Sequence, residues 1–120
     1  MDLDLARVIL LFVHLLGWAA LFGGLVVQAK DVEKRVNGAM RDGAGTAFLA
    51  GLLLVGVLEA GDTSVDHAKV GVKFAIGLVI LVLVMANARK PSIPQGLYVG
   101  LLLLTVVNVG VAVFWSPVHA

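Results

Sequence analysis

The chain has 120 residues, of which 60% are hydrophobic and 14% charged, with no cysteine and a formal net charge of +1. A soluble domain usually carries about a quarter charged residues, so this composition indicates an integral membrane protein. It excludes disulfides and thiolate metal sites, and so small a net charge with no basic run gives no reason to expect nucleic acid. Nearly every residue falls in apolar segments of about 20 residues, the length that crosses a hydrocarbon core of about 30 Å. One transmembrane domain over 1–120 is expected.

The first segment, about 8–27, is apolar or small throughout except for His14. Asp2 and Asp4 stand where a secretory signal would be basic, so it reads as a retained helix. The polar stretch from Lys30 to Gly43 carries four basic and three acidic residues. It suits either a solvated loop or a short interfacial helix with Val32, Val36 and Met40 on one side. Helix two is expected over about 44–60. After the turn at Gly61–Ser64, with Ser64 as N-cap, helix three covers about 66–87. Pro91 and Pro94 separate it from helix four, about 94–115, because proline is tolerated only in a first turn. Tyr98 and Trp115 stand where interfacial aromatics usually sit. The fold class is therefore all-α, a four-helix membrane bundle.

Orientation follows from the basic residues. Lys30, Lys34, Arg35, Arg41, Arg89 and Lys90 flank one side, against Arg7, Lys69 and Lys73 on the other. The preference of basic loops for the cytoplasm places both termini outside the bacterial inner membrane. Gly51–Gly61 (GLLLVGVLEAG) also overlays Gly100–Gly110 (GLLLLTVVNVG), with Glu59 on Asn108. A true duplication would make this a parallel two-helix repeat.

Counting from the basic side gives each helix one polar residue at a common depth. His14 lies 14 residues before Gln28, Glu59 15 after Ala44, Lys73 14 before Asn87 and Asn108 14 after Pro94. At 1.5 Å per residue each is about 21–23 Å from that edge, in the outer third of the core. His14 shares a face with Gly17, Leu21 and Gly24, and Asn108 with Thr105, Leu101 and Tyr98. An isolated charge at mid-membrane costs about 2.5–3.5 kcal/mol on insertion scales, so a Glu59–Lys73 pair completed by His14 and Asn108 is the economical arrangement.

Four chemical readings of this layer remain open. It can be a structural network that fixes helix register. It can be a haem or porphyrin site, with His14 as axial ligand and Trp18 lining the macrocycle. A metal site would join His14 to Glu59 and need water or a second subunit for its other ligands. A proton-coupled site would use the histidine and carboxylate as a relay. His67 and His119 read as solvated surface residues, and Asp66 with Lys69 as a surface pair.

The segments HLLGWAALFGGL (His14–Leu25) and HAKVGVKFAIGLV (His67–Val79) resemble bacterial membrane proteins of the protoporphyrinogen oxidase HemJ type and the related copper-resistance CopD group. That resemblance implies a four-helix bundle, haem association through the residue matching His14, and a functional lysine matching Lys69. The VDHAK and LTVVNVGVAVFW segments also resemble compact four-helix bacterial membrane proteins of uncharacterised function. The leading expectation is a membrane haem- or porphyrin-binding protein, redox-active or not, with His14 as metal ligand. The ligand-site candidates are His14, Trp18, Glu59, Lys69, Lys73 and Asn108. The alternatives are a small dimeric proton-coupled transporter or channel and a non-catalytic accessory subunit of a larger membrane complex.

Overall fold

The computed structural model describes residues 3–60 and 67–114; the side chains of residues 3, 58–60, 67–70 and 112–113 fall outside that description. Four helices follow one another, α1 (Leu3–Val26), α2 (Gly38–Ala60), α3 (His67–Asn87) and α4 (Gln95–Phe114), and the described residues form no strand. The all-α expectation holds. Over Asp4–Val26 in α1 and Gly38–Val57 in α2 the helices are long and apolar enough to cross a membrane, while α3 and α4 hold shorter apolar stretches. The expected Ser64 cap and the Trp115 belt residue lie outside the described residues.

Helix two begins six residues earlier than its apolar run suggests, and the cause is Asn37. Its Oδ1 accepts the Met40 backbone N–H at 2.9 Å, while its own carbonyl accepts from Arg41 N at 3.1 Å. This is an N-cap, which gives one otherwise unpaired amide of the first turn a partner. The interfacial helix considered for the first loop does not form. Met40 belongs to α2, Val36 is buried, and Val32 is 98% exposed. Instead the loop pairs with the third one, where Ile93 N donates to Lys34 O at 2.7 Å in an isolated antiparallel bridge. Both basic loops therefore occupy one end of the bundle, called here the basic end.

Small residues set the tightest helix pair. A Cβ added to Gly17 would lie 2.5 Å from Ala47 N, and one added to Gly43 2.5 Å from Leu21 N and 2.6 Å from Gly17 O. Each step forward along α1 meets a step back along α2, so these two helices are antiparallel and touch backbone to backbone. Small residues permit that approach, which gains dispersion contacts where larger side chains would hold helices apart. The helices then form a ring in chain order, α4 closing on α1, and among the described residues no diagonal pair brings Cα atoms within 8 Å. Toward the basic end the interior is packed with Leu21, Leu25, Met40, Ile80, Val84 and Leu101.

The overlay of α2 on α4 does not survive as a structural repeat. Leu54 is 3% exposed and its overlay partner Leu103 59%, whereas Leu101 is 0% and its partner Leu52 48%. Offset by 49 residues, the strings match while their buried faces point in opposite directions, so the likeness reflects leucine-rich composition.

Candidate functional site

His14 is held on both ring nitrogens. Nδ1 lies 2.6 Å from Ala47 O, an acceptor only, so Nδ1 carries the proton and donates it across to α2. Nε2 then has the lone pair, and Trp18 Nε1, one helical turn on, donates to it at 3.1 Å. The two rings meet edge to face at 6.1 Å between centroids. His14 is buried with Gly17, Leu21 and Gly24, as its helical face requires. Its ring rests on Gly51, where an added Cβ would stand 2.9 Å from Cε1 and 3.3 Å from Phe74 Cζ of α3.

Trp18 is half-buried and packs against the apolar core. Its indole N–H is turned to His14. As folded, this donor set does not fit an iron at His14, because the one lone pair of the neutral ring is already engaged. Among the described residues no three histidine, aspartate or glutamate side chains come together.

Asn108 behaves differently. It is 1% exposed, and neither its Oδ1 nor its Nδ2 has a partner among the described residues. It neighbours Gly77, whose added Cβ would lie 3.8 Å from Nδ2 and 3.7 Å from Phe48 Cδ1. Thr105, on the same face, donates its hydroxyl to Leu101 O at 2.8 Å, so it turns back to its own helix and does not serve Asn108. Of the two residues expected to complete a Glu59–Lys73 pair, His14 is instead closed in a cluster with Trp18 and Ala47, and Asn108 has no partner among the described residues. Lys73 is half-buried, on the face of α3 that carries Gly77. Glu59 and Lys69 lie in α2 and α3, but their side chains fall outside the described residues, so the Glu59–Lys73 and Asp66–Lys69 pairs do too.

At the basic end the structure assembles a second polar cluster that residue counting misses. Lys34 is buried, donates from Nζ to Ala29 O at 3.1 Å and to Asp31 O, and lies 5.1 Å from the centroid of the Tyr98 ring. The ammonium thus gives partners to two carbonyls of the loop that follows α1, and the aromatic face adds a cation–π contact. Tyr98, expected at an interface, is buried and donates its hydroxyl to Leu25 O, tying α4 to α1. Gln28 completes the end by donating to Arg35 O at 2.8 Å and accepting from Arg35 N at 2.8 Å. The only sequence signal for this cluster is its spacing, one lysine eight residues past a helix end.

Compared with models of known protein families, with curated proteins and with solved structures, the chain matches none.

Proposed function

We propose that the chain is a non-catalytic, multi-pass integral membrane protein, an accessory bundle whose four helices span the bacterial inner membrane with both termini outside. The observation that carries this reading is the outward placement of apolar side chains on every helix, among them Phe12, Leu15, Leu16, Leu52, Leu53, Val79, Val82, Leu103 and Val106. Core helices of a soluble protein are mostly buried, whereas only 28% of the best apolar window of α1 and 39% of that of α2 is buried here. So much exposed apolar surface is far beyond the few hundred Å² patches of soluble monomers and suits a lipid solvent. The basic loops, joined at one end by the Lys34–Ile93 bridge, support a cytoplasmic basic end.

In this reading the His14–Trp18–Ala47 cluster is a clamp. It satisfies every polar atom of a buried imidazole and fixes the register of α1 on α2, as polar groups in a membrane interior must be satisfied by protein partners. Alkaline carbonate washing tests insertion, since the chain is expected to stay in the membrane pellet. Crosslinking from lipid-facing positions followed by mass spectrometry tests the accessory role. A chain that crosslinks to nothing and is monodisperse alone argues against it.

A haem reading of His14 is favoured by one feature and opposed by another. Its Nδ1–H donates to a backbone carbonyl, the arrangement that orients histidine ligands through the other nitrogen. Trp18 occupies that other nitrogen. Trp18→Phe frees it, so under the haem reading this variant takes up haem better than the parent and His14→Ala takes up none. No Soret band in Trp18→Phe, expressed with excess haem, counts against haem.

A further inference from the structure

Asn37 and Gly38 form the one Asn-Gly pair in the chain. A glycine after asparagine has no Cβ to shield its backbone nitrogen, so in an open chain that nitrogen readily attacks the side-chain amide carbon. The fold gives this glycine no other reason. Gly38 opens α2 without a positive φ, and a Cβ added to it would meet only Arg41 Nη2, at 3.9 Å. Alanine would fit there and would favour the helix.

Asn37 is held at both ends of its side chain. Oδ1 accepts from Met40 N at 2.9 Å, capping α2, and Nδ2 donates to Gly24 O of α1 at 2.9 Å. The fit is close, since a Cβ added to Gly24 would stand 2.7 Å from that same Oδ1. Gln28 Nε2 donates to the same carbonyl at 3.0 Å, so both lone pairs of Gly24 O are used. Asn37 itself is half-buried, with Arg35, Gly38 and Ala39 exposed around it at the polar, basic end.

We propose that Asn37–Gly38 is a latched deamidation site, closed while Asn37 ties α2 to α1 and reactive once this end of the hairpin opens. The Gly38 nitrogen bonds to Asn37 Cγ, the Cγ–Nδ2 bond breaks, and Nδ2 leaves as ammonia with the proton that the Gly38 nitrogen loses. Water then opens the succinimide ring to aspartate or isoaspartate, with nothing oxidised or reduced. Ring closure needs Nδ2 to leave Gly24 O and the Gly38 nitrogen to leave the first helical turn. The hydrogen bonds that fix the cap therefore also hold the reaction off. The product cannot restore them. A carboxylate oxygen in place of Nδ2 is an acceptor facing the acceptor Gly24 O, and isoaspartate lengthens the backbone at the cap. Opening is thereby recorded as an irreversible loosening of α1 from α2. The latch needs only this hairpin, so it stands whether or not the accessory role does.

The full-length chain is incubated in mildly alkaline buffer, either folded in detergent micelles or opened in dodecyl sulfate and urea, with circular dichroism reporting the fold. Trypsin then releases Val36–Arg41, whose mass reports conversion of amide to acid. Conversion is expected to be about tenfold or more slower in micelles, the factor that about 1.4 kcal/mol of local opening gives. Gly38→Ala should suppress conversion in the opened chain and still fold in micelles, and Asn37→Asp, which carries the product charge, should melt below the parent. Equal rates in the two conditions overturn the latch. No conversion in the opened chain, or equal conversion in Gly38→Ala, overturns the reactive pair, and Asn37→Asp melting at or above the parent overturns the loosening.

Discussion

Replacing Gly43 by alanine should separate the two best-packed helices. The new Cβ would stand 2.5 Å from Leu21 N and 2.6 Å from Gly17 O, both backbone atoms that cannot rotate away. Ordinary contact begins near 3.4 Å, so α1 and α2 must part by most of an ångström over at least one turn. Overpacking of this kind costs about 1–3 kcal/mol, and a backbone collision belongs at the upper end. Alanine returns about 1 kcal/mol of helix propensity, leaving a net loss of about 1–2 kcal/mol. The control is Gly23→Ala on the same hairpin, whose Cβ meets nothing within 4 Å and should keep the propensity gain. Thermal unfolding in detergent, followed by far-ultraviolet circular dichroism, should show Gly43→Ala melting several degrees below the parent and Gly23→Ala at or above it. Parting the helices also lengthens the 2.6 Å bond from His14 to Ala47, so the Trp18 indole N–H resonance should move in Gly43→Ala alone. Equal melting temperatures for the two variants would refute the claim that α1 and α2 touch backbone to backbone.

Other substitutions test the polar clusters. Trp18→Phe keeps an aromatic ring but removes the donor to His14, and should cost about 1 kcal/mol, whereas His14→Leu takes the acceptor from the indole N–H and the second hydrogen bond from Ala47 O, and should cost more, read from the same melts. Tyr98→Phe withdraws the hydroxyl from the buried Leu25 carbonyl; the expected loss is about 1 kcal/mol, with faster amide exchange at the C-terminal end of α1. Asn108→Leu should raise the melting temperature of the protein, because it replaces an unsatisfied amide with an apolar side chain of similar size. A lower temperature would mean that Asn108 already has a partner.

The helix count, the burial of the His14–Gly17–Leu21–Gly24 face and the inward stripe of Tyr98, Leu101, Thr105 and Asn108 were legible from helical spacing alone. Spacing places a side chain on a face, and burial follows when the opposite face is uniformly apolar. What spacing does not carry is partner choice. His14 and Asn108 occupy comparable depths, yet His14 is satisfied by the Ala47 carbonyl and by Trp18 on its own helix, and Asn108 by no described group. A backbone carbonyl leaves no mark in a sequence, and its access to His14 depends on how closely Gly17 and Gly43 let two helices approach. The start of α2 was hidden for a related reason, since the apolar run begins at Ala44 while the capping Asn37 lies in a polar stretch that reads as loop. Lys34 shows the limit most clearly, as a loop lysine counted as a surface charge that is instead buried over Tyr98.

Membrane insertion with the basic end in the cytoplasm underlies the whole account, and the absence of cysteine makes it directly measurable. Single cysteines placed at Arg89, exposed in the third loop, and at Asp4, exposed at the start of α1, can be probed with a membrane-impermeant maleimide in intact spheroplasts and in inverted vesicles. The account predicts labelling of Asp4→Cys only in spheroplasts and of Arg89→Cys only in inverted vesicles. Labelling of both positions from the same side would contradict it.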